Sequence, residues 1–195
     1  LGLSFNLIPG FLPKLDAACE VVEDCIDQLM SDRRAGKRLY PEPDLLDALV
    51  EAQDAGGLTD AELKSLLIFL FVAGYDTSKN VLTYMLHLMT EHSEIYERCA
   101  EDLEYCRKVV EETLRLFNPS STFRFAAEDI EYRGVLIPKG TMLFFTLNVS
   151  GRDPAAYEDP DGFDPDRPVD PALRHVAFGL GRHMCLGQYI ARAQL

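Results

Sequence analysis

Cations are scarce in this 195-residue chain: 19 Lys and Arg stand against 32 Asp and Glu, a formal net charge of −13. A surface this acidic repels phosphate backbones and anionic headgroups, which argues against nucleic acid and an anionic membrane surface as partners. Long apolar runs are missing too. The most apolar stretch is 66–73, far short of the ~18 residues expected of a membrane span. No signal-peptide pattern opens the chain. Cysteine occurs at positions 19, 25, 99, 106 and 185, an odd number with no Cys-x-x-Cys pair. That speaks against a disulfide framework or a zinc site and for reduced thiols in a cytoplasmic compartment. Cys19, Cys25, Cys99 and Cys106 fall within helical patterns and read as packing residues. Repeats and low-complexity tracts are absent. The chain opens on Leu and closes inside a helical pattern, so both ends read as cut.

What is present suffices for one sizeable domain, since 47% of residues are hydrophobic. Residues 1–14 are broken by Pro9, Gly10 and Pro13 and read as a loop. Residues 16–34 carry apolar side chains at helical spacing, ended by Gly36 and Pro41. Residues 45–52 form a shorter helix. Thr59-Asp60-Ala61-Glu62 is a capping box that opens the longest helical pattern, 59–91. Helices at 94–100 and 102–117 follow, the second stopped by Asn118-Pro119. Then 122–127, 130–132 and 141–147 are β-rich, with turns at Arg133-Gly134 and Pro138-Lys139-Gly140. Residues 153–171 are dense in Pro, Asp and Gly and read as ordered coil. The expected class is mainly α with a small β element.

The most informative run is 178–187, Phe178-Gly179-Leu180-Gly181-Arg182-His183-Met184-Cys185-Leu186-Gly187. It sets one cysteine at the end of a glycine-punctuated loop, before a helical segment at 188–195. Glycine permits backbone angles forbidden to other residues and a close approach to a flat ligand. The unpaired N–H groups and dipole of a following helix favour a thiolate. Taken alone, a cysteine is more often a small buried hydrophobe.

Three further features stand out. Ala73-Gly74-Tyr75-Asp76-Thr77 interrupts an apolar helix; Gly costs about 1 kcal/mol there against Ala, and Asp and Thr compete for backbone hydrogen bonds. Such local conflicts mark functional sites, although a polar surface patch is the bland alternative. Glu112 and Arg115 stand at i and i+3 on one helix face, where an ordinary surface pair contributes ~0–1 kcal/mol. Arg124 lies between Phe123 and Phe125 in a β-rich segment.

In combination and in order, these features resemble cytochrome P450. The run at 178–187 is similar to the family's Phe-Gly-x-Gly-x-His-x-Cys-x-Gly signature at all six specified positions. The resemblance implies the P450 fold cut at both ends, and haem b as cofactor. It implies Cys185 as the iron ligand, a thiolate that favours O–O cleavage. Phe178, Gly179, Gly181 and Gly187 would shape the haem loop, with Ala73 and Gly74 on the opposite face. Asp76 and Thr77 resemble the acid–alcohol pair that relays protons through water. Arg124 and His183 would take the propionates, Arg through its bidentate fork. Glu112, Arg115 and Arg167 resemble the structural triad that ties the core helix to the coil before the loop, although Pro168 stands where the family usually has an aromatic residue. Ser121, Thr122, Leu70 and Phe71 are weaker candidates for substrate contact. The implied reaction is monooxygenation of a small apolar organic substrate, with electrons from NAD(P)H through a ferredoxin or flavodoxin-type donor. A peroxide-driven peroxygenase, a non-catalytic haem-thiolate sensor or carrier, and an inactive gene piece are the alternatives.

Overall fold

The computed structural model describes residues 11–168 and 175–195. Residues 1–10 of the expected opening loop and 169–171 of the expected coil therefore lie outside the described residues. The chain divides into two compact units, Leu1–Ala73 and Gly74–Leu195.

The first unit is helical. It contains α1 (Phe11–Arg34), α2 (Leu45–Asp54) and the start of α3 (Asp60–Glu91). The sequence predicted loop as far as residue 14, yet α1 is already helical from Phe11. Pro13 lies in the first turn, where its missing N–H has no intrahelical acceptor to lose. Ile26 and Met30 of α1 pack with the fully buried Leu63 of α3, flanked by Val22, Leu49 and Leu67. Cys25 is exposed, which corrects its reading as a packing residue. Thr59 and Glu62 form the expected box: the Thr59 N–H donates to the Glu62 carboxylate at 2.9 Å, and the Glu62 N–H to the Thr59 hydroxyl at 3.3 Å. At α2, Asp44 caps the Leu46 and Asp47 amides. The same carboxylate receives a two-pronged grip from Arg33, at 2.8 and 2.9 Å. Those Arg33 hydrogen bonds hold the Asp44 carboxyl down at about 2.

The second unit is organised around α5 (Leu103–Leu116), which follows α4 (Ser93–Glu101). Asp102 caps α5 by accepting from the Glu104 and Tyr105 amides. Val109, Val110 and Leu114 of α5 are buried with Val81 and Met85 of α3 and Ile95 of α4. Burial of each such side chain contributes roughly 1.5–3 kcal/mol. From Glu112 to Leu116 every residue is buried, so α5 is a core helix at its C-terminal end.

Four short strands follow. β1 (Thr122–Phe125) pairs antiparallel with β4 (Met142–Phe145), with Arg124 opposite Leu143. Between them β2 (Ile130–Tyr132) and β3 (Val135–Ile137) form a hairpin whose two-residue turn, Arg133-Gly134, has positive φ at both positions, the geometry that suits strand twist. The expected strand at 141–147 ends at Phe145, because β1 offers no partner beyond Thr122. The chain instead turns into a short helix, α6 (Leu147–Ser150). Residues 151–168 are coil; the cysteine loop contains a 3₁₀ turn at Gly181–His183 and leads into α7 (Gln188–Gln194).

Candidate functional site

The site is built outward from α5. Glu112 and Arg115 are one helical turn apart, and both are buried, at 6% and 2% exposure. The Arg115 fork donates to both carboxylate oxygens of Glu112, Nε to Oε2 at 2.8 Å and Nη2 to Oε1 at 2.7 Å. The guanidinium has further N–H groups, and these reach the coil. Nη1 donates to the Gly151 and Pro160 carbonyls at 2.5 and 2.6 Å, and Nη2 to the Gly162 carbonyl at 2.7 Å. Arg167, the third residue singled out in sequence, meets the same carboxylate: its Nε donates to Glu112 Oε1 at 3.2 Å. Its other nitrogens bond the Glu158, Asp159 and Gly162 carbonyls. The Asp164 amide also donates to Glu112, at 3.0 Å. A buried carboxylate is tolerable because so many donors surround it.

A second tie holds the same coil. Asp166 accepts from Arg98 of α4 at 2.5 Å and from Lys108 of α5 at 3.0 Å. The Arg98 bond, then the Lys108 bond, hold the Asp166 carboxyl below its ordinary range. The Arg98 guanidinium also stacks on Tyr105, 3.6 Å from the ring centroid.

Beyond the coil lies the cysteine loop. Gly179 and Gly181 have φ of 73° and 70°, angles that a side chain strongly disfavours. The Cys185 amide donates to the Phe178 carbonyl at 2.8 Å and closes the loop. Ala177 is buried in the core and Phe178 packs against it. The loop tip is exposed: Leu180, His183, Met184, Cys185 and Leu186 all face solvent. Gly187 immediately precedes α7. Among the described residues no cluster of three or more His, Cys, Asp or Glu is gathered for a metal, so Cys185 offers a single thiol.

The remaining sequence candidates lie on α3 and β1. Ala73 closes the first unit and Gly74 opens the second, both within α3. A Cβ placed on Gly74 would meet nothing within 4 Å. Asp76 is exposed and accepts from Lys79 at 2.7 Å and Asn80 at 3.2 Å. The Lys79 hydrogen bond lowers its carboxyl pKa. Thr77 is exposed on the same helix, and so are the large apolar side chains Phe69, Phe71 and Val72. Leu70 is half-buried. On β1, Arg124 is exposed and donates to the Thr122 hydroxyl and the Phe123 carbonyl, each at 2.8 Å. Ser121 is exposed and Thr122 half-buried.

Sequence reasoning missed Glu111. Its carboxylate meets His175 at 3.1 Å and Arg192 at 2.5 and 3.2 Å. A second glutamate beside Glu112 reads as an ordinary polar helix residue. The available signal was a His and an Arg flanking the cysteine loop on its two sides.

The chain matches the family model described as Cytochrome P450 over residues 3–195. It is 37% identical to luteothin monooxygenase of Streptomyces thioluteus, over 100% of this chain and 47% of that protein. It is 33% identical to the biotin biosynthesis cytochrome P450 of Bacillus subtilis, over 81% of this chain and 40% of that protein. Among solved structures it is similar to P450BioI in complex with an acyl carrier protein carrying hexadec-9Z-enoic acid. That match has a TM-score of 0.78 and 30% identity, and covers 95% of this chain and 46% of that one. The P450 enzyme CxnD matches with a TM-score of 0.75 and 36% identity, over 93% of this chain and 44% of that one. The chain thus spans less than half the length of these relatives. Members of this family carry haem b on a cysteine thiolate. With agreement running from residue 3 to residue 195 in sequence, and over nearly the same span in fold, this chain belongs to the cytochrome P450 family.

Proposed function

We propose that this chain is the haem-binding part of a monooxygenase, with Cys185 as the thiolate ligand. The observation that carries the reading is the construction of the cysteine loop. A solvent-exposed thiol stands at the end of a loop shaped by two positive-φ glycines, which adjoins a core containing the buried Glu112 carboxylate paired with Arg115 and Arg167. The donor chemistry fits haem. Arg124, Arg182 and His183 make no ion pair with a carboxylate among the described residues, although the chain is strongly acidic. The two guanidinium groups and the imidazole are hydrogen-bond donors suited to an anionic ligand such as a haem propionate. Exposed Phe123, Phe125, Leu180 and Met184 suit the macrocycle's apolar faces.

Haem bound there supplies the oxygen activation that places one atom of O₂ in an apolar organic substrate and releases the other as water. The chain's own residues do the rest. Cys185, exposed at the end of the loop, would present its sulfur to the iron as the thiolate ligand. Arg124 and His183 bind carboxylates and so set the ring's orientation. Gly74, with open space where a Cβ would stand, together with Ala73 leaves room against α3. Asp76 is held as a carboxylate by Lys79 and Asn80. Those two hydrogen bonds favour its ionised form, and with the neighbouring Thr77 hydroxyl it would relay protons through water. Electrons come from a ferredoxin or flavodoxin-type donor.

The test is the ferrous carbon monoxide spectrum of the haem-loaded protein. A red-shifted Soret band, characteristic of thiolate ligation, is expected, and Cys185→Ala is expected to abolish it. A band at the position of histidine-ligated haem proteins in the unmodified chain refutes the assignment. Turnover with hydrogen peroxide but none with O₂ and a reductase would instead identify a peroxygenase.

A further inference from the structure

We infer that Glu111 is a positioning residue for the cysteine loop, gripping the chain on both sides of Cys185 and so holding the sulfur in place. This rests on the haem-thiolate reading above. Glu111 projects from α5, the most deeply packed helix of its unit. On one side it meets His175, ten positions before the cysteine. The Ala177 amide donates to His175 Nδ1 at 3.2 Å. A backbone N–H can only donate, so Nδ1 is the unprotonated nitrogen and Nε2 carries the hydrogen. Nε2 therefore donates to Glu111 Oε2, at 3.1 Å. On the other side the carboxylate receives the Arg192 fork, Nε to Oε1 at 2.5 Å and Nη2 to Oε2 at 3.2 Å. Arg192 lies seven positions after the cysteine, in α7.

The grip reaches the loop backbone in two further steps. The Arg192 guanidinium covers the Phe178 ring, 4.4 Å from its centroid. The Phe178 carbonyl accepts the Cys185 amide at 2.8 Å. One carboxylate thus fixes the segment entering the loop, the helix leaving it, and the ring whose backbone closes it. The loop needs such an anchor, because its tip is exposed and its glycines supply no packing. Burial would raise the Glu111 carboxyl pKa, but hydrogen bonds from His175 and Arg192 outweigh it and hold the group ionised down to about 2. The grip is therefore intact throughout the neutral range.

Glu111→Gln keeps the shape and removes the charge; one of its two terminal atoms becomes a donor facing a donor. In haem-loaded protein we expect haem to dissociate about tenfold faster, the scale seen when a partner of a metal ligand is removed. We also expect a smaller share of the ferrous carbon monoxide complex in the thiolate band. In protein before haem loading, hydrogen exchange at the Cys185 amide is expected to speed up while 109–114 stays protected. Arg192→Lys keeps the charge without the fork and is expected to fall between the two. The inference is overturned if Glu111→Gln leaves both the band ratio and the Cys185 exchange at the unmodified values. It is also overturned if protection is lost equally along α5, since Glu111 would then support the whole unit. Absence of the thiolate band in the unmodified protein would refute the functional reading, while the hydrogen-exchange arm would still decide the positioning of the loop.

Discussion

Replacing Arg115 with lysine tests how the buried junction is held. Lysine preserves the positive charge at a site that is only 2% exposed. It does not preserve the geometry. Arg115 makes five hydrogen bonds, two to Glu112 and one each to the carbonyls of Gly151, Pro160 and Gly162. An ammonium has three hydrogens on one atom and cannot span acceptors that lie on both sides of a planar fork. Glu112 Oε1 and the Gly162 carbonyl keep a donor on Arg167, so Glu112 Oε2 and the Gly151 and Pro160 carbonyls depend on the replacement, and one or two of them are left without a donor. Each buried unsatisfied group costs roughly 1–3 kcal/mol, so the loss is about 1–6 kcal/mol. Arg115→Leu, which removes one of the two guanidinium partners of the buried Glu112 carboxylate and the donors to the Gly151 and Pro160 carbonyls, is expected at the upper end, roughly 3–5 kcal/mol. Against a total stability of about 5–15 kcal/mol, either change is severe. Urea unfolding followed by far-ultraviolet circular dichroism gives the free energy. A loss below about 1 kcal/mol for Arg115→Lys would show that the fork geometry is dispensable and that charge alone holds the coil.

Three other outcomes are expected. Gly151→Ala places a Cβ 2.0 Å from the Arg115 carbonyl oxygen, a backbone clash that no rotamer relieves; overpacking of this kind costs about 1–3 kcal/mol, measured by the same unfolding curves. Gly74→Ala meets open space inside a helix and is expected to stabilise by about 0.4–1 kcal/mol, yet to weaken binding of O₂ or carbon monoxide to the haem-loaded protein, measured by ligand titration. Glu111 has its pKa depressed from 4.5 to about 2 in the fold, so its contribution is complete above pH 4.5 and is lost as pH falls toward 2. The difference in stability between the unmodified chain and Glu111→Gln is expected to shrink across that window, and a difference that is flat with pH would refute the ionised grip.

Much of this architecture was legible in the residues because its signals are local. Helical periodicity, the Thr59 and Glu62 box and the Arg133-Gly134 turn each depend on neighbours within four positions, and the structure places them close to where they were read. Phe11–Lys14 and Thr146-Leu147 depart from expectation for local reasons too: Pro13 is a breaker only beyond the first turn, and strand propensity at 146–147 counts for little once the partner strand has ended. The long-range contacts were a different matter. Glu112, Arg115 and Arg167 stood out only through their resemblance to a family pattern, since spacing alone describes a surface pair. The carbonyls that complete the Arg115 shell lie 36 to 47 positions away, and Arg192 lies 81 positions from Glu111. Backbone oxygens carry no side-chain signature at all, so no inspection of residue types reveals that Gly151 must be bare.

The buried charges of α5 are better understood from the coil than from the helix. Replacing a buried ion pair by apolar residues is often neutral or even stabilising, so packing alone gives no reason to keep Glu112 and Arg115 in a core. The coil gives one. Its backbone has no ladder to satisfy it, and the carbonyls of residues 151, 158, 159, 160 and 162 all find donors on just two guanidinium groups, Arg115 and Arg167. Glu112 holds both guanidinium groups in place. An apolar core would bury the helix equally well and leave those oxygens without partners. Successive helical residues point about 100° apart, so two consecutive glutamates can serve two directions from one buried helix. Glu112 faces the coil that leads toward the cysteine loop, and Glu111 faces the segments on either side of the loop itself. The charges on α5 therefore stabilise one path of an irregular chain over its alternatives, and that path determines where the Cys185 thiol is presented.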